Sequence, residues 1–235
     1  MHIPDGFLNN QTSVSLIVVA IGFCGLAFKK AKEFLFEKNK LLLPQLMTNI
    51  GLGLNQPRLV DRLILKQNAN KKIQQMAVVA AFVFAAQMVN FPVTNGTSGH
   101  LFGGVLAAIV LGPWLGMLVI CAVLLVQSLI FGDGGVLALG ANIFNMAVIG
   151  AIGGYYLYLL VKKIIKNQTL VIALISWFSV VLAATACSFE LAVSKTISLN
   201  LVLPAMLSVH ALIGIGEALI TVFALKFLFN DDKKY

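Results

Sequence analysis

Apolar stretches of membrane-crossing length recur from one end of this chain to the other, and that pattern restricts it to a lipid-solvated fold. The runs cover about 12–28, 76–93, 101–112, 114–131, 136–161, 170–193 and 201–229. A helix needs roughly 20 apolar residues to cross a bilayer. Inside lipid, every backbone N–H and C=O must find its partner within the protein, so such runs become helices. Hydrophobic residues make up 59% of the 235 and charged residues 11%. Soluble domains carry about 25% charged residues, so one aqueous core would not hide this surplus. The expected fold is an all-α polytopic membrane protein forming a single membrane domain over 1–235.

The net charge of +8 raises nucleic acid as a partner, but the distribution argues against it. Lys and Arg sit in blocks between the apolar runs, as in cytoplasmic loops of membrane proteins. The largest block, 29–75, contains Lys29, Lys30, Lys38, Arg58, Arg62 and Lys72. It reads as a cytoplasmic loop with an insertion, in which Leu59 to Leu65 is one amphipathic turn on the membrane surface. The run 101–112 is short, which leaves six or seven crossings. Charge favours about seven: with seven, Lys162, Lys163, Lys166 and the Lys233-Lys234 tail join the basic block inside, whereas with six they fall outside. The predicted N-terminus is outside and the C-terminus cytoplasmic. The outer segments are then 1–11, 94–100, 132–135 and 194–200, which hold Lys195 as their one basic residue.

Cys24, Cys121 and Cys187 lie in apolar runs without CxxC spacing and read as small helix residues. Residues 1–11 have no basic residue before the apolar run, so no cleaved signal peptide is expected. There is no GxxxxGK[ST] loop, no HExxH and no Ser/His/Asp set, which argues against an ATPase or hydrolase acting alone. Asp133, in Gly132-Asp133-Gly134-Gly135, reads as a loop turn, since it lacks the further carboxylates of a calcium loop. Gly112 with Gly116, and Gly150 with Gly154, have the small-xxx-small spacing of close helix packing.

Three histidines exist, and the topology puts His2 and His100 on the outer side. Met1-His2 is a chelating dipeptide. A terminal amine titrates near 7.7–8.0 and yields its proton readily to a metal. The amine and the His2 amide nitrogen close a five-membered ring on a metal, and the amide and Nδ1 of His2 close a six-membered one. A fourth nitrogen completes a square plane, the geometry of nickel(II) or copper(II); cobalt(II) is less demanding. His100, in Thr97-Ser98-Gly99-His100, is the candidate fourth donor, with a surface imidazole as the alternative. Pro4-Asp5-Gly6 is a turn signature that folds the first residues back over the bundle. Asp5 is either an acceptor for an imidazole N–H or an ordinary turn residue. Asn142 and Asn145 share a helix face and read as ties between helices or as supports for the metal. His210 and Glu217 are buried polar candidates seven residues apart, too widely spaced to bind one ion easily.

The start Met1-His2-Ile3-Pro4-Asp5-Gly6-Phe7-Leu8, the loop Gly96-Thr97-Ser98-Gly99-His100-Leu101 with Gly103-Gly104, Leu111-Gly112-Pro113-Trp114, Gln127 through Gly135, and Leu139 through Met146 together resemble the CbiM and NikM family. These are cobalt- and nickel-binding membrane subunits of energy-coupling-factor importers. The resemblance covers 1–30 and roughly 76–225; the segment between Lys30 and Met76 departs from it. It implies seven membrane helices with the N-terminus inserted into the bundle. It also implies a metal held by the Met1 amine, the His2 amide and imidazole nitrogens and the His100 imidazole, with Thr97 and Ser98 beside them. Implied partners are a transmembrane coupling subunit, two cytoplasmic ATPases and a small accessory membrane subunit. The implied setting is the plasma membrane, where cobalt import would supply cobalamin synthesis. No cofactor beyond the transported ion is expected. Rival readings are an intramembrane metal enzyme using His210 and Glu217, and a stand-alone metal channel or carrier.

Overall fold

A computed structural model describes residues 2–42, 59–93 and 97–228. Among them are seven helices: α1 (Asn10–Leu35), α2 (Ala69–Gln87), α3 (Gly104–Leu111), α4 (Pro113–Phe131), α5 (Leu139–Val161), α6 (Gln168–Val193) and α7 (Leu199–Leu228). Five of these, α1 and α4 to α7, are long and apolar enough to cross a membrane. At 1.5 Å per residue, the eight-residue α3 is only about 12 Å long. The protein is a predominantly α-helical, multi-pass membrane protein.

The helices present apolar side chains outward as well as inward. Ile130 and Leu212 are each 72% exposed and Phe223 is 67% exposed. In water such faces would be aggregation sites; against lipid they are the solvent-matched surface. α1 is the extreme case. Asn9 caps it, its side chain accepting from Thr12 N at 2.8 Å, and its buried residues form a narrow stripe of Ser13, Ala20, Ala27, Ala31 and Leu35. The inward-facing residues on this stripe are mostly small, and they let α1 lie close against the start of α5, where a Cβ on Gly140 would meet the Ile17 backbone at 2.5 Å.

Close backbone approach also seats α3. A Cβ on Gly116 would stand 2.8 Å from Ala108, and one on Gly104 would stand 2.8 Å from the Gly150 carbonyl carbon. The small-xxx-small spacing seen in the sequence is therefore spent on burying this short helix between α4 and α5. Both partners are partly π-wound. Gln127–Phe131 ends α4 and Phe144–Gly153 forms the middle of α5. π turns are rare and cluster at functional sites.

Two short antiparallel pairs connect the helices. β1 (Phe36–Leu42) pairs with β2 (Leu59–Leu65), from Phe36↔Leu65 to Leu42↔Leu59. This corrects two expectations for the basic segment. α1 continues past Lys29-Lys30 to Leu35, since Lys and Glu favour helix. Leu59–Leu65 is a strand and not an amphipathic turn, because a short segment with Asp61 and Arg62 among apolar residues fits either state until a partner strand accepts its backbone groups. The stretch 43–58, which contains much of the expected insertion, lies outside the described residues, as do Met1 and the Lys233-Lys234 tail. β3 (Asn90–Pro92) pairs with β4 (Ser98–His100) in the register Asn90↔His100.

Candidate metal centre

The amino-terminal segment is anchored by hydrogen bonds to residues far along the chain. Ile3 lies flat against Asn142 of α5: Ile3 N donates to Asn142 Oδ1 at 2.8 Å, and Asn142 Nδ2 donates to Ile3 O at 3.2 Å. Gly135 N donates to the same carbonyl at 2.9 Å. Asp5 accepts from the backbone N–H groups of Val136 and Leu137 at 3.2 and 2.8 Å. Thr196 Oγ1 donates to Phe7 O. Asp5 is thus a clip for the loop before α5 and not an acceptor for an imidazole, because its turn points it at backbone donors.

These anchors carry His2 into the protein. His2 is 3% exposed and His100 is fully buried, and their rings stand 4.2 Å apart between centroids, tilted by 38°. His100 is aimed by β4 and by its own backbone, with Nδ1 2.7 Å from Leu101 O. Its Nε2 has no hydrogen-bond partner, and neither does Nε2 of His2. Two buried imidazoles in contact, each with an open nitrogen, have the donor chemistry to take up a metal ion. Among the described residues, no cluster of three or more His, Cys, Asp or Glu could hold a metal.

Asp133 is the site residue that the sequence concealed. Its Oδ1 lies 2.9 Å from His2 Nδ1. Gly132, with φ of 65°, ends the π turn of α4, and Asp133 N donates back to Gln127 O at 3.0 Å, which fixes the side chain toward His2. Gly134, at φ of 93°, passes 3.3 Å from the His2 side chain at the point where a Cβ would sit. A left-handed backbone suits glycine. The usable sequence signal was topological: the 132–135 loop belongs to the same expected outer face as His2 and His100.

Electrostatics favour the metal-ready form. Burial holds the His2 imidazole below its ordinary range, with the Asp133 hydrogen bond opposing the shift. Burial holds His100 well below that range, and the neighbouring His2 adds to the effect. The hydrogen bond from His2 lowers the carboxyl of Asp133. Both shifts favour the neutral imidazole, the form in which a histidine binds a metal. Chelation by Met1-His2 needs Nδ1 of His2 on the metal, but in the structure that nitrogen is held by Asp133. The His2 amide, the other expected donor atom, makes only a long 3.4 Å contact with Ser98 Oγ.

The remaining candidates have other partners. Thr97 Oγ1 donates to Met206 Sδ at 3.2 Å. Asn145 Nδ2 donates to Glu190 Oε2 at 2.7 Å, tying α5 to α6 through a buried carboxylate that sequence reading did not single out. His210 Nδ1 lies 2.8 Å from Met206 O, and its ring meets Phe102 edge-on at 6.5 Å. Glu217 accepts from Phe102 N and Gly103 N at 2.8 and 2.7 Å. His210 and Glu217 thus have separate partners and do not form a joint metal site.

Comparison with known proteins bears on this geometry. Residues 2–233 match the family described as CbiM, the cobalt uptake substrate-specific transmembrane region. A putative fused nickel transport protein NikMN of Archaeoglobus fulgidus is 32% identical over 97% of this chain. The chain spans 65% of that longer protein. The cobalt transport protein CbiM of Thermosipho melanesiensis is 31% identical over 73% of this chain and 75% of its own length. A crystal structure of a transition metal transporter superposes with a TM-score of 0.78 at 31% identity, covering 100% of this chain and 95% of the other. A truncated transition metal transporter gives 0.77, also at 31% identity, over 97% and 98%.

Proposed function

The chain belongs to the CbiM family of cobalt-uptake membrane proteins, and from that premise we propose that it is the substrate-binding subunit of an energy-coupling-factor importer for cobalt or nickel. It would stand in the plasma membrane with its N-terminus outside, its C-terminus inside and seven crossings. The ion is its cargo. The observation that carries this reading is the pair of buried imidazoles of His2 and His100, 4.2 Å apart, with Nε2 of His100 unpartnered.

The proposed donors are the Met1 amine, the amide and imidazole nitrogens of His2, and Nε2 of His100. Because Asp133 holds Nδ1 of His2, the incoming ion has to take that nitrogen from the carboxylate. A half-turn of the ring about Cβ–Cγ accomplishes this. Protons leave the amine and the amide as the chelate closes, so binding weakens as pH falls. The chain has no phosphate-binding loop of the Walker type. Import would therefore draw on two cytoplasmic ATPases, a transmembrane coupling subunit and a small accessory membrane subunit. Cobalt delivered this way would feed cobalamin synthesis.

The deciding experiment is metal analysis of the purified chain after offering cobalt, nickel, copper and zinc in equal amounts. It is run beside His2→Ala, His100→Ala and a form with one extra residue before Met1. About one equivalent of cobalt or nickel, lost in all three altered forms, supports the chelate and names the cargo. Metal that survives the extension removes Met1 from the site. Uptake by cells lacking the ATPases would instead favour a stand-alone carrier.

A further inference from the structure

We propose that Glu217 is a positioning residue for the metal centre: it grips the backbone just after His100 and thereby sets where that imidazole stands. This deepens the metal-binding reading above and rests on it.

The grip is two-sided. Glu217, on α7 and 3% exposed, accepts from Phe102 N with Oε2 at 2.8 Å and from Gly103 N with Oε1 at 2.7 Å. From the opposite side, Gln87 at the end of α2 donates Nε2 to Phe102 O at 2.8 Å. Both backbone groups of residue 102 are thus held by side chains from helices 115 and 15 residues away. The next residue is locked as well. Gly103 takes φ of 69°, and a Cβ there would stand 2.5 Å from Val83 of α2. Two residues upstream, His100 is paired to Asn90 and turned by its bond to Leu101 O. With 102 and 103 clamped, the His100 ring has one place to go, opposite His2.

A carboxylate is matched to this task in a way an amide is not. The two amides precede α3, whose first N–H groups lack intrahelical acceptors and whose dipole favours negative charge. Gln would offer one oxygen to two donors and set its own NH2 against the second. A charge within a membrane bundle is costly and marks function by default. The rest of α3 needs no such residue, because Gly104 on Gly150 and Val105 on Gly154 seat it by packing. The Glu217 carboxyl stands at the His100 end of α3, on Phe102 N and Gly103 N. Since Glu217 belongs to α7, any shift of α7 against α2 reaches the metal through two hydrogen bonds.

The test is a double-mutant comparison on the full chain in lipid nanodiscs, loaded with nickel and challenged with a chelator. Glu217→Gln should speed nickel loss about tenfold or more while His100 is present, the usual scale for a residue that supports a ligand. In a His100→Ala background, which has to be loaded with excess nickel because it does not retain metal through purification, the same change should alter the rate less than about twofold. Equal acceleration in both backgrounds, or none in either, overturns the proposal. Should Glu217→Gln not fold, Glu217→Asp carries the same comparison, keeping the charge but withdrawing it from the amides. A second readout is independent of metal: amide exchange at 102 and 103 in the metal-free chain should quicken in Glu217→Gln and not in Thr221→Val, one turn further along α7. If the unaltered chain takes up neither nickel nor cobalt, the metal reading falls. Exchange then decides alone, and unchanged protection in Glu217→Gln overturns the positioning role.

Discussion

Two buried polar neighbourhoods lie close together in this bundle, and they use the same residue types differently. At one, His2, His100 and Asp133 bring a carboxylate and two imidazoles together, and both rings keep an open nitrogen. At the other, His210 and Glu217 sit two turns apart on α7, and each is engaged with a different piece of backbone. His210 also has an unpartnered Nε2, but its ring meets Phe102 edge-on at 6.5 Å, whereas the His2 and His100 rings lie 4.2 Å apart. A buried histidine becomes a ligand only when a second donor shares its space; otherwise it is part of the frame.

The sharpest way to break this comparison is to remove one histidine at a time. His2→Ala and His100→Ala should each lower nickel or cobalt affinity by about 100-fold or more, while His210→Ala should change it by less than about tenfold. Isothermal titration of the metal measures both. Equal losses at all three positions would mean that the two neighbourhoods are one site.

The next effect is on the scaffold. Gly103→Ala places a methyl against Val83 on a left-handed backbone. It should destabilise the protein by about 1–3 kcal/mol and weaken metal binding, whereas Gly216→Ala, with only Leu101 near at 3.7 Å, should do neither. Denaturant titration with a metal-binding assay separates the two.

Asn142→Ala removes both bonds to Ile3. The expected cost is about 1–3 kcal/mol, because Ile3 N is left buried and unpaired while Ile3 O keeps its bond from Gly135 N. Its signature is faster amide exchange at Ile3, with the protection of α6 and α7 unchanged.

The smallest effect is the pH response of the metal-free protein. His2 and His100 titrate below the ordinary value of 6.5 in the folded state. The unfolded chain therefore binds protons that the folded chain declines, and stability is full above about pH 6.5 and falls below it. Asp133, also lowered, acts in the same direction, but only as pH falls below about 4. Melting should be lower at about pH 5.5 than at about pH 7.5. In His2→Ala, which lacks one of the two rings, the difference should shrink.

Much of this was legible in the sequence because it depended on local pattern. Apolar run length announced the helices, and the topology put His2 and His100 on one face. Asn142 and Asn145 were readable as polar residues needing partners, but not as opposites: one holds the amino-terminal hook and the other holds Glu190. Asp133 looked like a turn because its role depends on a residue 131 positions away. Asp5 looked like a possible imidazole acceptor for the converse reason, since nothing local reveals that two backbone donors wait for it at 136 and 137. The strand Leu59–Leu65 was hidden because a strand is defined by its neighbour.

The hook formed by residues 2–8 has a consequence for how the protein is made. It is synthesised well before its fasteners: Ile3 waits for Asn142, and Phe7 waits for Thr196. Most of the bundle must have emerged from the ribosome before the hook can close. Metal capture would then report that synthesis and assembly are finished, and a chain interrupted before α5 would reach the membrane without a closed hook to hold the ion.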